Sequence, residues 1–348
     1  MDVPSYIELG GIPKDVFEAT MHLVEEDGPQ IDEEAKSVRA TIGERWLDGF
    51  ELFRVCCVLA QSIGQKVIDA AFEGVSEEDI VSRGTHSSAT HQALNDEWIR
   101  YMMLISLHAK ACVIAGEVRL LLTSGYSEGA RSRLRTMHEC LICSAIVGAD
   151  ESGQLAVRFH DAALLEHWSL ARVIDTHGAE LGWETVDPDG LRLVTQDGER
   201  VIAQWGDKLK QTYEWARPAT RISPNSSVTF RDLEKSTRYE ARRAVYKLVN
   251  HGVHVSSTSI LDHLRTEPEH ALPFGSHIDP DQIPFLAGTG LRILSDVTLE
   301  ITGSLVENLH VEEQLQQARV LEFLASMAYT YFLPDENESA DGSELPTQ

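Results

Sequence analysis

Three observations make this an all-α sequence, a large bundle of long helices. Twelve prolines are present, yet none falls between Pro29 and Pro188; proline breaks helix interiors by removing a donor and clashing with the preceding turn. Apolar residues recur at three- and four-residue steps, as in Trp46, Phe50, Phe53, Cys57 and Ala60, and in Trp98, Met102, Ile105 and Ala109. That is the period of a helix with one buried face. Strand-like alternation is confined to one short stretch, and neither an internal repeat nor a sustained heptad is visible.

Taken in order, helices are expected at about 14–26, 31–40, 42–72 and 77–83, which make an N-terminal helical region over 1–85. A main helical domain over 86–332 begins with a helix at about 88–123. Ser124-Gly125-Tyr126-Ser127 stops and restarts it, with Gly125 free to take positive φ and Ser127 suited to an N-cap. Helices at about 126–148 and 153–178 follow. Trp183-Glu184-Thr185-Val186 and Leu191-Arg192-Leu193-Val194-Thr195 flank Asp187-Pro188-Asp189-Gly190, and read as a small β-hairpin inserted near 183–195. The remaining helices are expected at about 197–216, 229–250, 255–264, 281–309 and 312–332. Pro268, Pro273, Pro280 and Pro284 mark 265–284 as a loop, and the acidic, small and polar residues 333–348 read as a disordered tail.

The 348 residues carry 30 Lys+Arg against 55 Asp+Glu, a formal charge of −25. Such a field repels phosphate backbones and anionic lipid over most of the surface. The most apolar stretch, Tyr101 to Gly116, is interrupted by Ser106, His108 and Lys110 and is shorter than a membrane span, so no membrane association is expected. The N-terminus lacks the charged and apolar regions of a secretory leader, and five cysteines are too few for a disulfide framework. A cytoplasmic protein with reduced thiols is the expectation.

Positive charge is concentrated. Between Arg217 and His254 eight basic residues face three acidic ones, so this segment is locally basic inside an acidic chain. Arg131, Arg133 and Arg135 open the helix after Gly125. Within the basic segment Ala241, Ala244, Val245 and Leu248 are expected to form the buried apolar face. Tyr239, Arg243, Tyr246 and Asn250 step along a neighbouring face, which His254 would extend. Such a stripe can bind an anion or move a proton, or can be a buried polar network joining two helices. Arg135 and Glu139 are i,i+4 neighbours; buried, they should meet each other or a partner such as Tyr246 or His254.

The run from Gly125 to Ala130, followed by Arg135 and Glu139, is similar to the G-x-x-x-x-A … R-x-x-x-E helix of an uncharacterised bacterial family, domain of unknown function 5677. Residues Tyr246 to Ser256 resemble that family's Y-x-x-x-S-x-x-x-H element, with Asn250 where the family usually has Ser. The resemblance covers about 98–262. It implies an all-α domain that brings Arg135, Glu139, Tyr246 and His254 together, and it implies no activity.

Two functional readings remain open. One is a metal-independent HEPN-like ribonuclease of the toxin or phage-defence kind, a class that cleaves RNA at a dimer interface with an Arg and a His that have four to six residues between them. Its catalytic set would be Arg135, Glu139, Tyr246 and His254, with Arg131 and Arg243 binding the anion and His138 as a further proton-transfer group. Arg133–His138, Arg131–His138, Arg172–His177 and Arg265–His270 have the spacing, but about three such pairs are expected by chance in this composition. RNA at the local basic site and a homodimer are the partners implied. The other reading is a non-enzymatic helical module that binds a partner protein or small anion, its polar constellation acting as a structural network. No cofactor and no metal are expected. Cys140-Leu141-Ile142-Cys143 is a lone CxxC inside a helix, and Gly288-Thr289-Gly290 is a loop glycine pair without Walker spacing.

Overall fold

The computed structural model describes residues 39–73, 75, 89–183, 186–250 and 282–332, with a few isolated positions before residue 39. Helices dominate, and no strand occurs among the described residues. The helices expected at 77–83 and 255–264, residues 265–281 of the expected loop, the acidic tail and much of the first two helices lie outside these residues, while Pro284, expected in the loop, is in the first turn of a helix.

The central bundle is built from α1 (Leu47–Ala71), α2 (Ala89–Thr123), α3 (Ser127–Ala149), α8 (Ile283–Leu309) and α9 (Glu312–Tyr331). Helix α8 packs against the other four, which explains why its buried residues go nearly all round, from Leu286 to Leu305. Gly290 makes the closest approach: a Cβ there would lie 3.2 Å from Leu134, 3.3 Å from Phe53 and 3.5 Å from Val118. The Gly288–Gly290 pair is therefore helix interior at a four-helix crossing, and the loop expected there is corrected. At the other end, Trp46 Nε1 donates to the Phe332 carbonyl at 3.0 Å and Phe50 meets the Phe332 ring edge-on at 5.2 Å.

The α2–α3 turn follows the expected chemistry. Gly125 takes φ 84°, the Tyr126 N–H reaches the Leu121 carbonyl at 2.7 Å and the Gly125 N–H the Leu122 carbonyl at 3.0 Å. This is a Schellman closure, which needs a left-handed residue at that place. Ser127 is the first helical residue; Tyr126 occupies the N-cap without a side-chain bond.

Helices α4 (Gln154–His177) and α5 (Pro188–Trp205) form an antiparallel pair beside α2. Here the expected hairpin is overturned. Asp187 is an N-cap whose carboxylate accepts from the Gly190 N–H at 2.9 Å, and Pro188 is the first helical residue. Asp-Pro starts a helix as readily as a turn, because proline's missing N–H is unneeded at that position. The helix expected at 197–216 stops at Trp205, since Gly206 takes φ 82°. Short 3-10 turns at Asp207–Lys210 and Glu214–Ala219 follow.

The helix expected at 229–250 is broken into α6 (Phe230–Lys235), a 3-10 turn at Glu240–Arg242 and α7 (Arg243–Asn250). Thr229 and Asp232 form a reciprocal capping box at its start. Ser236 and Thr237 end it by donating to the carbonyls of Asp232 and Glu234, both at 2.9 Å. Such local hydroxyl bonds compete with the helical ladder. The break moves Tyr239 off the Arg243–Tyr246–Asn250 stripe, and its hydroxyl donates to Glu300 of α8 at 2.5 Å.

Candidate functional site

Helix α7 lies across α3 and turns Tyr246 and Val249 inward, while Ala241, Ala244 and Leu248 are exposed. The buried face is thus rotated from the expected apolar one. Tyr246 supplies the area, and its ring packs on Phe230 at 4.8 Å and His138 at 5.4 Å. Aromatic packing of this size outweighs the burial of Ala and Leu methyls.

Arg135 and Glu139 stand one turn apart on α3 and meet the Tyr246 hydroxyl. Arg135 Nε donates to Tyr246 at 3.2 Å and to Glu139 Oε1 at 3.2 Å. Tyr246 donates to the same carboxylate oxygen at 3.3 Å. Burial pushes the Tyr246 phenol above its ordinary value, only partly offset by Arg135, so it holds its proton at neutral pH. Burial opposes the Arg135 charge, but Tyr246 and Glu139 beside it more than compensate. This triangle is half open: the side chains of Arg135 and Glu139 keep 23% and 30% of their exposure. Arg131, one turn before Arg135 on the same stripe, is half-buried and makes no ion pair among the described residues. Tyr213 is at the edge of the group, its phenol pushed up to about 12 by burial and then by Glu139 and Tyr246.

Behind the triangle lies a sealed pair with a half-open arginine attached to it. His138 Nε2 is 3.2 Å from Glu234 Oε1, both side chains being 1% exposed. Arg243 Nη1 donates to the other oxygen at 2.5 Å, and its guanidinium lies 5.4 Å from the Tyr246 ring centre. One acid from α6 therefore ties α3 and α7 together. Sequence reasoning missed Glu234, which appeared only as one of three acids in a basic segment. Nothing in the local pattern marks which of the three turns inward.

The remaining candidates are placed as follows. Arg133 pairs with Glu117 of α2 at 2.5 Å, which removes it from the Arg133–His138 spacing as a free cation. Arg172 lies on an exposed face of α4. His254 and Arg265 lie outside the described residues. Cys140 is core, its thiol pushed up to about 11 by burial, and burial likewise raises Cys143. Neither is a thiolate at neutral pH, the form a redox or zinc CxxC uses. Among the described residues no three His, Cys, Asp or Glu side chains converge as metal ligands, and no helix is long and apolar enough to cross a membrane.

Residues 101–271 match the family described as "Family of unknown function (DUF5677)". The match runs from α2 through α7 and contains Arg135, Glu139, Tyr246 and His254. No curated protein and no solved structure matches the chain.

Proposed function

We propose that the DUF5677 segment carries a metal-independent site for RNA cleavage of the HEPN-like kind, built on Arg135, Glu139 and Tyr246. The observation that supports it is the contrast in burial. The Arg135–Glu139–Tyr246 triangle opens to solvent while the adjoining His138–Glu234 pair is sealed. The three arginines 131, 135 and 243 outnumber Glu139 and Glu234, so the locale is net positive inside a chain of −25. A focused anion site is compatible with an acidic shell because screening confines each field to about 8–10 Å.

The chemistry assigns each residue one task. A base removes the ribose 2′-hydroxyl proton, the 2′-oxygen attacks phosphorus, and the 5′-oxygen leaves with a proton, giving a 2′,3′-cyclic phosphate. Arg131 meets the incoming phosphate and Arg135 steadies the charge of the phosphorane. Glu139 and Tyr246 hold the guanidinium in place. His254 has the proton-transfer role on the family motif alone, since an imidazole titrates near neutrality. The sealed His138–Glu234 pair is structural support, with the half-open Arg243 bound to it. An activity of this kind suits a toxin or phage-defence effector.

Purified full-length protein is incubated with single-stranded RNA in the presence of a chelator, beside Arg135→Ala and His254→Ala. Cleavage to cyclic-phosphate ends that falls at least tenfold in both variants, at unchanged circular dichroism, is expected. Equal cleavage by all three proteins removes these residues from the reaction. No cleavage by the wild type, with a melting temperature raised by inorganic phosphate and not in Arg135→Ala, replaces the enzyme with the anion-binding module. The sealed half of the network is what favours that second reading.

A further inference from the structure

A cavity of about 240 Å³ lies between α1 and α2, with Ile301 of α8 contributing to its wall. Among the described residues that line it none is acidic or basic at neutral pH, and its apolar wall includes Val67, Ile68, Ile105 and Val113. Its buried polar group is His108, which is 4% exposed, whereas the two glutamines of the lining, Gln61 and Gln65, are exposed.

The hydrogen bonds fix the tautomer of that histidine. Thr298 Oγ1 donates to the Leu294 carbonyl at 2.8 Å, so its proton is committed. His108 Nε2 lies 3.1 Å from the same oxygen, which can then only accept. Nε2 therefore carries the hydrogen and Nδ1 keeps a lone pair. The only polar contact of Nδ1 among the described residues is the Cys112 thiol at 3.9 Å, a weak donor that lies nearer to Nε2, at 3.7 Å. Burial holds the imidazole down to about 4, so it is neutral. Nδ1 faces Gly64: a Cβ on that residue would lie 2.6 Å from it. Gly64 and His108 both line the cavity, and with no Cβ at Gly64 no side chain from that position blocks Nδ1.

We infer that the α1–α2 cavity binds an uncharged, largely apolar small molecule of one or two rings carrying a single hydrogen-bond donor, which His108 Nδ1 accepts. The described lining offers no charged partner, and desolvating a charge without one is costly, which favours an uncharged ligand. The size follows from volume, because a dry cavity of roughly 150 Å³ already admits benzene. The shape of the site, apolar walls with one buried, oriented polar group and two exposed amides, is that of a small-molecule pocket.

The full-length protein is titrated with indole and with indene, which has the same shape and no N–H, following heat release and melting temperature. Saturable binding of indole, about fivefold tighter than indene, is expected, the scale of one net hydrogen bond. Ala109→Trp, at the exposed rim on α2, should fill the mouth and weaken indole at least tenfold with unchanged circular dichroism. Indene as tight as indole removes His108 from recognition and overturns the assignment. Undiminished binding by Ala109→Trp shows that the ligand sits elsewhere, and no saturable binding of either probe to the wild type refutes the site outright.

Discussion

Removing Glu234 should be far more damaging than its place on a short surface-proximal helix suggests. The carboxylate is 1% exposed, and both of its oxygens are engaged, one by His138 Nε2 at 3.2 Å and the other by Arg243 Nη1 at 2.5 Å. Glu234→Ala leaves the buried imidazole, whose Nδ1 already lacks a hydrogen bond among the described residues, without a partner, and Arg243 without its counter-charge. Breaking a buried pair on one side costs about 3–5 kcal/mol. For a chain of this size that is ~6–10 °C in melting temperature, at about 2 °C per kcal/mol. Glu234→Gln keeps one acceptor oxygen but turns an NH₂ toward a donor, and should fall between the two. Urea unfolding followed at 222 nm measures both. A loss under about 1 kcal/mol for Glu234→Ala would refute the assignment of this carboxylate as the tie between α3, α6 and α7, since that is the range of a solvated pair.

Three further outcomes are expected. Tyr246→Phe keeps the ring on Phe230 and His138 but deletes the hydroxyl shared by Arg135 and Glu139; stability should fall by only about 1 kcal/mol, while RNA cleavage drops at least tenfold, read as a rate at fixed folded fraction. Asp161 accepts from Trp205 Nε1 at 2.7 Å and Arg200 Nη2 at 3.4 Å; burial raises its carboxyl, but His160, Trp205 and Arg200 together carry it below the ordinary value. Because its folded value lies below the unfolded one, Asp161 adds stability at neutral pH that is lost as pH falls through the ordinary carboxylate range to the lowered folded value. Asp161→Asn should therefore lose stability at pH 7 and flatten the acid limb of a melting-temperature series; an unchanged limb contradicts the reasoning. Gly198→Ala would put a Cβ 2.3 Å from the Trp168 ring, so the α4–α5 pair must part, at a cost of about 1–3 kcal/mol with a changed near-ultraviolet tryptophan spectrum.

Much of the fold is legible in the chain itself, because helices announce themselves through period and punctuation. The apolar steps through Phe50, Phe53 and Cys57 mark residues that are buried in α1, and Gly125 turns the chain where its lack of a Cβ is needed. Arg135 and Glu139 are legible as a pair because i,i+4 spacing on one helix is geometry that the chain carries locally. The departures also share a physical cause. Asp187-Pro188 and the 229–250 run mislead because turn, N-cap and hydroxyl chemistry use the same residue types. Which one forms depends on the backbone that follows.

What the residues alone determine, then, is the helical class, the positions of the long bundle helices and a short set of polar residues worth watching. Burial is decided only by the tertiary structure. His138 and Arg135 lie within one turn of each other on α3, yet one is sealed against Glu234 and the other reaches solvent. That difference comes from where α6 and α7 cross α3, a contact between segments about a hundred residues apart. The same holds for His108, whose tautomer is set by Thr298 on a distant helix. Helical period is a property of neighbours in the chain, whereas exposure, protonation and tautomer belong to neighbours in space.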